Sequence, residues 1–237
     1  TLIDDFLAKC KVSGSRHTRT PLQPRNSTVP EKDIYGPPRE GEAILEDLSL
    51  YRRVIGTLQW LASSTRPDLA FSVSLMARYN HCATKRHWKG LVHILRYLDN
   101  TRDLGILYPA DPTLKLEVFA DAGYLSDRVN GRSQTGFVLT INGAAFDWKS
   151  RKQGLTATST TYAELIAAYD AAREMSWISK VYHNVAGEID LPNQLPIPLY
   201  EDNNAAISLI KSGLVVTDAT KHIEPKFHYV HELIESG

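Results

Sequence analysis

Three short acidic stretches, far apart in the chain and each set in its own structural frame, restrict the fold more than anything else in this sequence. In the first, Leu114, Leu116, Val118 and Ala120 alternate with Lys115, Glu117 and Phe119, the period-two pattern of a strand with one face in a core. The pattern ends at Asp121, and Ala122-Gly123 behind it predicts a sharp turn that brings backbone close to whatever Asp121 binds. In the second, TATSTTYAELIAAYDAA, Glu164 lies in the first turns of a helix that opens at a Ser/Thr cluster and carries Leu165, Ala168, Ala172 and Met175 on one face. In the third, an apolar strand through Ile197 and Leu199 ends at Asp202, and a helix follows at once. Carboxylates delivered in this way, in a chain with few His or Cys residues, suit a hard divalent cation such as magnesium rather than zinc.

Each carboxylate also has a purely local role open to it. Glu164 follows Thr161 in the spacing of a capping box. Asp202 sits where an N-cap for the next helix is expected, and Asp121 can serve as a turn residue. One shared metal site accounts for all three at once.

The rest of the chain divides into three parts. Residues 1–48 open with Leu2, Ile3, Phe6 and Leu7 in an amphipathic piece and then become rich in Pro and Arg, which predicts a linker with one small helix. Residues 49–112 show helical spacing. Leu50, Val54, Leu58 and Leu61 form one helix, Leu69, Val73, Met76 and Ala77 a second opened by Pro67, and Trp88, Leu91, Ile94, Leu95 and Leu98 a third. Residues 113–237 alternate strand and helix: the Asp121 strand, a hairpin over Thr135 to Lys149 with Asn142-Gly143 at its turn, a helix from about Thr160 to Val185, a strand at Ile197 to Tyr200, and a helix from Asn203 to Lys211. Helices packed on a mixed sheet follow from that order.

FADAGY, TSTTYAELIAA and LYEDNNAAISLI, in this order and spacing, resemble the three carboxylate blocks of the ribonuclease H domain in Ty1/copia-type retrotransposon Pol polyproteins. YRRVIGTLQWLASSTRPDLAFSVSLMARY and HWKGLVHILRYLDNTRDLGILY resemble the connection segment before that domain, and TKHIEPKFHYVHELIESG a helical segment near its end. The resemblance implies an α/β, ribonuclease H-like fold at 113–237, a helical connection at 49–112, and a polymerase thumb tail at 1–48. It implies an enzyme, a ribonuclease H that hydrolyses the RNA of RNA/DNA hybrids during reverse transcription. Asp121 would bridge two magnesium ions and Glu164 and Asp202 would hold one each, with manganese able to substitute. The implied partners are the hybrid and the rest of the polyprotein, with a second copy of this chain as a further candidate. The setting would be intracellular, a cytoplasmic particle or the nucleus.

Departures from the family pattern leave those carboxylates in place: Ala122-Gly123-Tyr124 stands for Ala-Asp-Trp, Tyr162 for the first Glu of Glu-Ala-Glu-Tyr, and Glu224 for a more usual Asp. No Tyr-Asp-Asp polymerase motif occurs. The start at Thr1 and the end at Gly237 read as those of a fragment whose last strand, last helix and fourth carboxylate lie beyond it, so the expectation is weakened cleavage. The rival expectation is a captured, non-catalytic module that binds nucleic acid or a protein partner.

Lys plus Arg equal Asp plus Glu at 27 each, so nucleic-acid binding has to come from local patches. Two are candidates for phosphate contacts: Lys85, Arg86 and Lys89 in the helical part, and Arg128, Arg132, Lys149, Arg151 and Lys152 around the hairpin. The plainer reading of either is a solvated face. Two distant cysteines, Cys10 and Cys82, and no apolar run long enough for a bilayer predict a reduced protein with no membrane partner. His222, His228 and His231 lack a Cys or carboxylate pattern that would complete a zinc site.

Overall fold

A computed structural model describes residues 2–10, 18–23, 35–111, 114–127, 130–189, 196–213 and 224–236. They fall into two compact units, Thr1–Gly105 and Ile106–Gly237.

The first unit is helical: α1 (Leu2–Cys10), α2 (Leu48–Ser64), a 3-10 turn at Pro67–Leu69, α3 (Ala70–Ala77) and α4 (Lys85–Asn100). Asp47 starts α2 by accepting the Leu50 N–H at 2.9 Å. Pro67 opens the 3-10 turn, where its missing N–H costs nothing. The predicted apolar stripes meet in one core around Ile55, Leu58, Met76, Leu91 and Ile94. Leu7, from the expected small helix, and Tyr35, from the stretch expected to be linker, are fully buried in that same core. Gly90 permits the approach, since a Cβ there would come within 3.0 Å of the Tyr35 ring. Arg66, only 2% exposed, donates to both Asp68 oxygens at 2.9 and 2.7 Å and to Thr101 O and Oγ1 at 2.9 and 2.7 Å. A buried guanidinium held by four acceptors is satisfied; one stripped of them is a large liability.

The second unit is a mixed four-stranded sheet with helices. β1 (Leu116–Asp127), β2 (Arg132–Ile141) and β3 (Ala144–Lys152) form an antiparallel meander, and β4 (Leu199–Tyr200) lies parallel to β1, giving the order β3-β2-β1-β4. Asn142 and Gly143 turn between β2 and β3 with φ of 50° and 78°, the paired positive values of a type I′ hairpin. α5 (Thr160–Ile189) packs on the sheet, and α6 (Asn204–Ser212) and α7 (Glu224–Ser236) follow. Val118, Ala120, Ala122, Phe137 and Leu139 are buried with Ala163, Ala167, Ala168, Ala171 and Ala172 of α5, whose small side chains let the helix lie close. Each large apolar side chain buried there contributes about 1.5–3 kcal/mol. On the other face of β1, Phe119 and Tyr200 stack at 4.9 Å while both stay largely exposed. Such a mixed α/β arrangement is compatible with a ribonuclease H-like fold.

One expectation is corrected here. The first strand does not stop at Asp121: Ala122 and Gly123 stay paired with Thr135 and Gln134, and the irregularity comes between Gly123 and Asp127, where Leu125 has φ of 48°. β2 is long enough to offer ladder partners past Asp121, and small residues accept them as readily as they accept a turn. Among the described residues, no helix is long and apolar enough to cross a membrane.

Candidate metal centre

Asp121 projects from β1, Glu164 from the second turn of α5, and Asp202 from the segment just past β4. One carboxylate oxygen from each lies within 4.8 Å of the other two. The local alternatives are occupied by neighbours. Ser159, not Thr161, caps α5, its Oγ accepting the Tyr162 N–H at 3.2 Å. Asn203, not Asp202, caps α6, its Oδ1 accepting the Ala206 N–H at 3.0 Å. Asp121 lies within a ladder rather than a turn. All three carboxylates are therefore left for another task.

Glu164 is the buried member at 8% exposure, while Asp121 and Asp202 are exposed. Its Oε2 is buried without a hydrogen-bond partner. Burial first, then the negative charges of Glu201, Asp121 and Asp202, push its carboxyl up to about 8, against a hydrogen bond from the Ala122 N–H. An orphaned buried oxygen facing two other carboxylates fits a divalent cation, which would supply the missing partner and reverse the repulsion. The all-oxygen donor set suits magnesium or manganese.

Two residues at this centre were not singled out from the sequence. Gln153, 3% exposed, donates from Nε2 to Thr135 Oγ1 at 3.1 Å and to Ala163 O at 2.9 Å, pinning the start of α5 to the sheet beside Glu164. Glu201 accepts the Asn203 N–H on Oε1 at 3.1 Å and keeps Oε2 buried without a partner; burial raises its pKa, with Asp202 and Asp121 adding to the rise. The available signal was a second acidic residue directly beside Asp202 at the end of an apolar strand. A cavity of about 510 Å³ between α5, α6 and α7 has Glu201 on its wall but none of the three clustered carboxylates.

The basic candidates separate by what holds them. Arg86 is engaged: its guanidinium donates to Glu42 at 3.0 and 3.2 Å and to the carbonyls of Gly36 and Pro37 at 3.1 and 2.7 Å. Burial opposes it, yet hydrogen bonds from Arg86 and Thr84 hold Glu42 down to about 2. Lys85 and Lys89 are exposed. In the second unit, Arg151 reaches Asp170 of α5 at 2.8 Å, so the exposed Lys149, two residues earlier, shares the helix side of the sheet. Lys152 alternates to the opposite side and pairs with Asp127 at 3.2 Å. Arg132 donates to Gly154 O at 2.6 Å. Arg128 and His222 lie outside the described residues. His231 contacts Ile210 O through Nδ1 at 2.9 Å, and His228 is exposed.

Fold and centre together define a mixed α/β protein that presents a three-carboxylate cluster suited to a divalent cation. The chain is homologous to the Pol polyproteins of retrotransposons. It is 28% identical over 233 residues, 98% of its length, to the "Retrovirus-related Pol polyprotein from transposon RE2" of Arabidopsis thaliana, and covers 15% of that protein. It is 34% identical over 186 residues, 78% of its length, to the "Retrovirus-related Pol polyprotein from transposon TNT 1-94" of Nicotiana tabacum, and covers 13% of it. The chain thus spans about a seventh of the length of these relatives. It is also 33% identical over 129 residues, 54% of its length, to the "Secreted RxLR effector protein 161" of Plasmopara viticola, covering 91% of that protein. No family model matches the chain, and no solved structure matches it significantly.

Proposed function

We propose that this chain hydrolyses the RNA strand of RNA/DNA hybrids in a magnesium-dependent reaction that serves retrotransposon reverse transcription. The observation that supports it most is the trio of Asp121, Glu164 and Asp202, with oxygens within 4.8 Å and a buried, unpartnered Glu164 Oε2. Asp121 would be shared between two ions, with Glu164 and Asp202 holding one each. When bound, such ions activate a water for attack on a phosphodiester and stabilise the leaving 3′ oxygen. The residues themselves do the holding. Gln153 fixes the start of α5, the Ala122 N–H orients Glu164, and the Asn203 cap leaves Asp202 free to turn outward.

Two of the three carboxylates are exposed, which favours a polymer laid across the surface over a small ligand swallowed by it. RNA would be told from DNA by contacts to 2′-hydroxyls across a wide minor groove. The reaction would take place inside the cell, within a longer reverse transcriptase polyprotein.

The test is cleavage of end-labelled RNA in a hybrid by the purified chain, with magnesium and with EDTA, beside Asp121→Asn. Metal-dependent RNA fragments that vanish in the variant support the reading; equal fragments with and without metal would overturn it. A second reading, a non-catalytic module that binds nucleic acid or a protein partner, draws on the effector relative, of which the chain covers 91%. Hybrid binding without metal-dependent cleavage is its signature.

A further inference from the structure

Glu201 and Asp202 are adjacent in the chain and have different surroundings. Asp202 is exposed and joins Asp121 and Glu164. Glu201 lines the cavity between α5, α6 and α7, where its wall neighbours include Ala172 and Met175 of α5, Leu199 of β4, and Ile207 and Ile210 of α6. An apolar wall is a costly setting for a carboxylate unless its oxygens find donors. The donors here are backbone groups next in the chain. Oε1 accepts the Asn203 N–H at 3.1 Å, and the Asp202 N–H also donates to this carboxylate. Among the described residues, Oε2 is buried without a hydrogen-bond partner.

Glu201, Asp202 and Asn203 are the whole link between β4 and α6. Asn203 ties the end of that link by accepting the Ala206 N–H at 3.0 Å, and Glu201 ties its middle. Asp202 is thereby held at its backbone while its carboxylate stays with the cluster. Glu201 carries a penalty as well: of the negative charges that act on Glu164, its own weighs most, ahead of Asp121 and Asp202. An apolar residue of similar size would line the same wall without that repulsion. A locally unfavourable residue beside a functional centre is explained by what it does for the centre.

We propose that Glu201 is a positioning residue: by accepting the Asp202 and Asn203 N–H groups it holds the Asp202 carboxylate toward the divalent cation that Asp121 and Glu164 also bind. The inference rests on the metal centre of the proposed function and deepens it by naming the group behind the ligand that orients it. Outer partners of this kind are worth about 10–100-fold in metal affinity.

The test titrates the full chain with magnesium by calorimetry, beside Glu201→Leu and Glu201→Gln. Both variants are neutral, so the difference between them isolates hydrogen bonding from charge. Glu201→Leu suits the apolar wall and should melt at or above the parent in EDTA, yet bind magnesium about tenfold more weakly or worse. Glu201→Gln keeps an oxygen that accepts the same N–H groups and should bind within about threefold of the parent. In the Asp202→Asn chain, already short of that ligand, Glu201→Leu should weaken binding no further. Parent affinity in Glu201→Leu, an equal loss in Glu201→Gln, or a full additional loss in the double variant would overturn the positioning. Cleavage of hybrid RNA by the parent is measured in parallel. Equal magnesium affinity in all three chains beside metal-dependent cleavage sinks the positioning alone; the ordered loss without cleavage supports the positioning and sinks hydrolysis alone; no magnesium binding by the parent sinks both.

Discussion

Asn203 accepts the Ala206 N–H at 3.0 Å, and by doing so it relieves Asp202 of the helix-capping work its position suggests. The two neighbours can therefore be separated by substitution. Asn203→Ala should cost about 1 kcal/mol of stability and leave metal affinity close to that of the parent. Asp202→Asn should leave the melting temperature of the metal-free protein unchanged or raised and weaken magnesium binding at least tenfold, as read by calorimetric titration. Loss of stability in Asp202→Asn equal to that in Asn203→Ala would return the capping role to Asp202.

The raised pKa of Glu164 sets a pH dependence for the metal-free protein. Its folded value, about 8, lies above the ordinary 4.5, so the fold favours the protonated form. That contribution is complete below about pH 4.5 and is lost as pH rises through about 8. In EDTA the second unit should melt at progressively lower temperature from pH 5 to pH 8, and magnesium should reverse the fall most strongly at the alkaline end. Glu42, held near 2, titrates far below this window and does not disturb it. A flat melting profile in EDTA across that range would remove Glu164 from the electrostatic cluster.

Glu164→Gln should act in opposite directions on stability and activity. At pH 8 without metal the amide removes a charge that the fold disfavours, so the variant should melt higher than the parent. Hybrid cleavage should fall at least a hundredfold, because an amide oxygen is a neutral and weaker ligand.

Gln153 connects the sheet to the first turn of α5 through two hydrogen bonds, both buried. Gln153→Ala leaves the Ala163 carbonyl and the Thr135 hydroxyl short of a donor and should cost about 1–3 kcal/mol by urea denaturation. Because Glu164 follows Ala163 directly, metal affinity should weaken as well, beyond what the stability loss explains. Metal affinity equal to the parent's would limit Gln153 to a structural role.

In the first unit, Arg66 and Arg86 should behave as structural cations. Arg66→Ala leaves the Thr101 carbonyl and the solvent-facing Asp68 without their guanidinium partner and should cost about 1–3 kcal/mol in denaturant unfolding. Arg86→Gln should destabilise the unit through Glu42 and leave the salt dependence of hybrid binding unaltered, whereas Lys85→Gln with Lys89→Gln should reduce its slope.

The carboxylate trio was legible because three blocks in fixed order carry more information than any one of them. The helical spacing before residue 100 and the Asn142-Gly143 hairpin were legible for a related reason: both are repeated local patterns. What escaped notice depends on partners or on shifts of a residue or two. Ser159 and Thr161 are both hydroxyl residues near one helix start, and only the backbone geometry says which one caps. Asp121 before Ala-Gly reads as a strand end until β2 supplies ladder partners for Ala122 and Gly123. Arg86 belongs to a basic run in the sequence and to Glu42, far upstream, in the fold. Tyr35 sits among prolines and glycines that signal a linker, yet Gly90 opens a space for its ring.

β4 adds only Leu199 and Tyr200 to the sheet, opposite Val118 and Phe119. The meander of β1, β2 and β3 closes through short turns, but β4 joins β1 only after the whole of α5 has been traversed, which is the slowest kind of pairing to nucleate. Asp202 arrives with it. The three-carboxylate cluster is therefore complete only once this long-range pairing has formed, so a substitution that loosens β4 loosens the cluster with it.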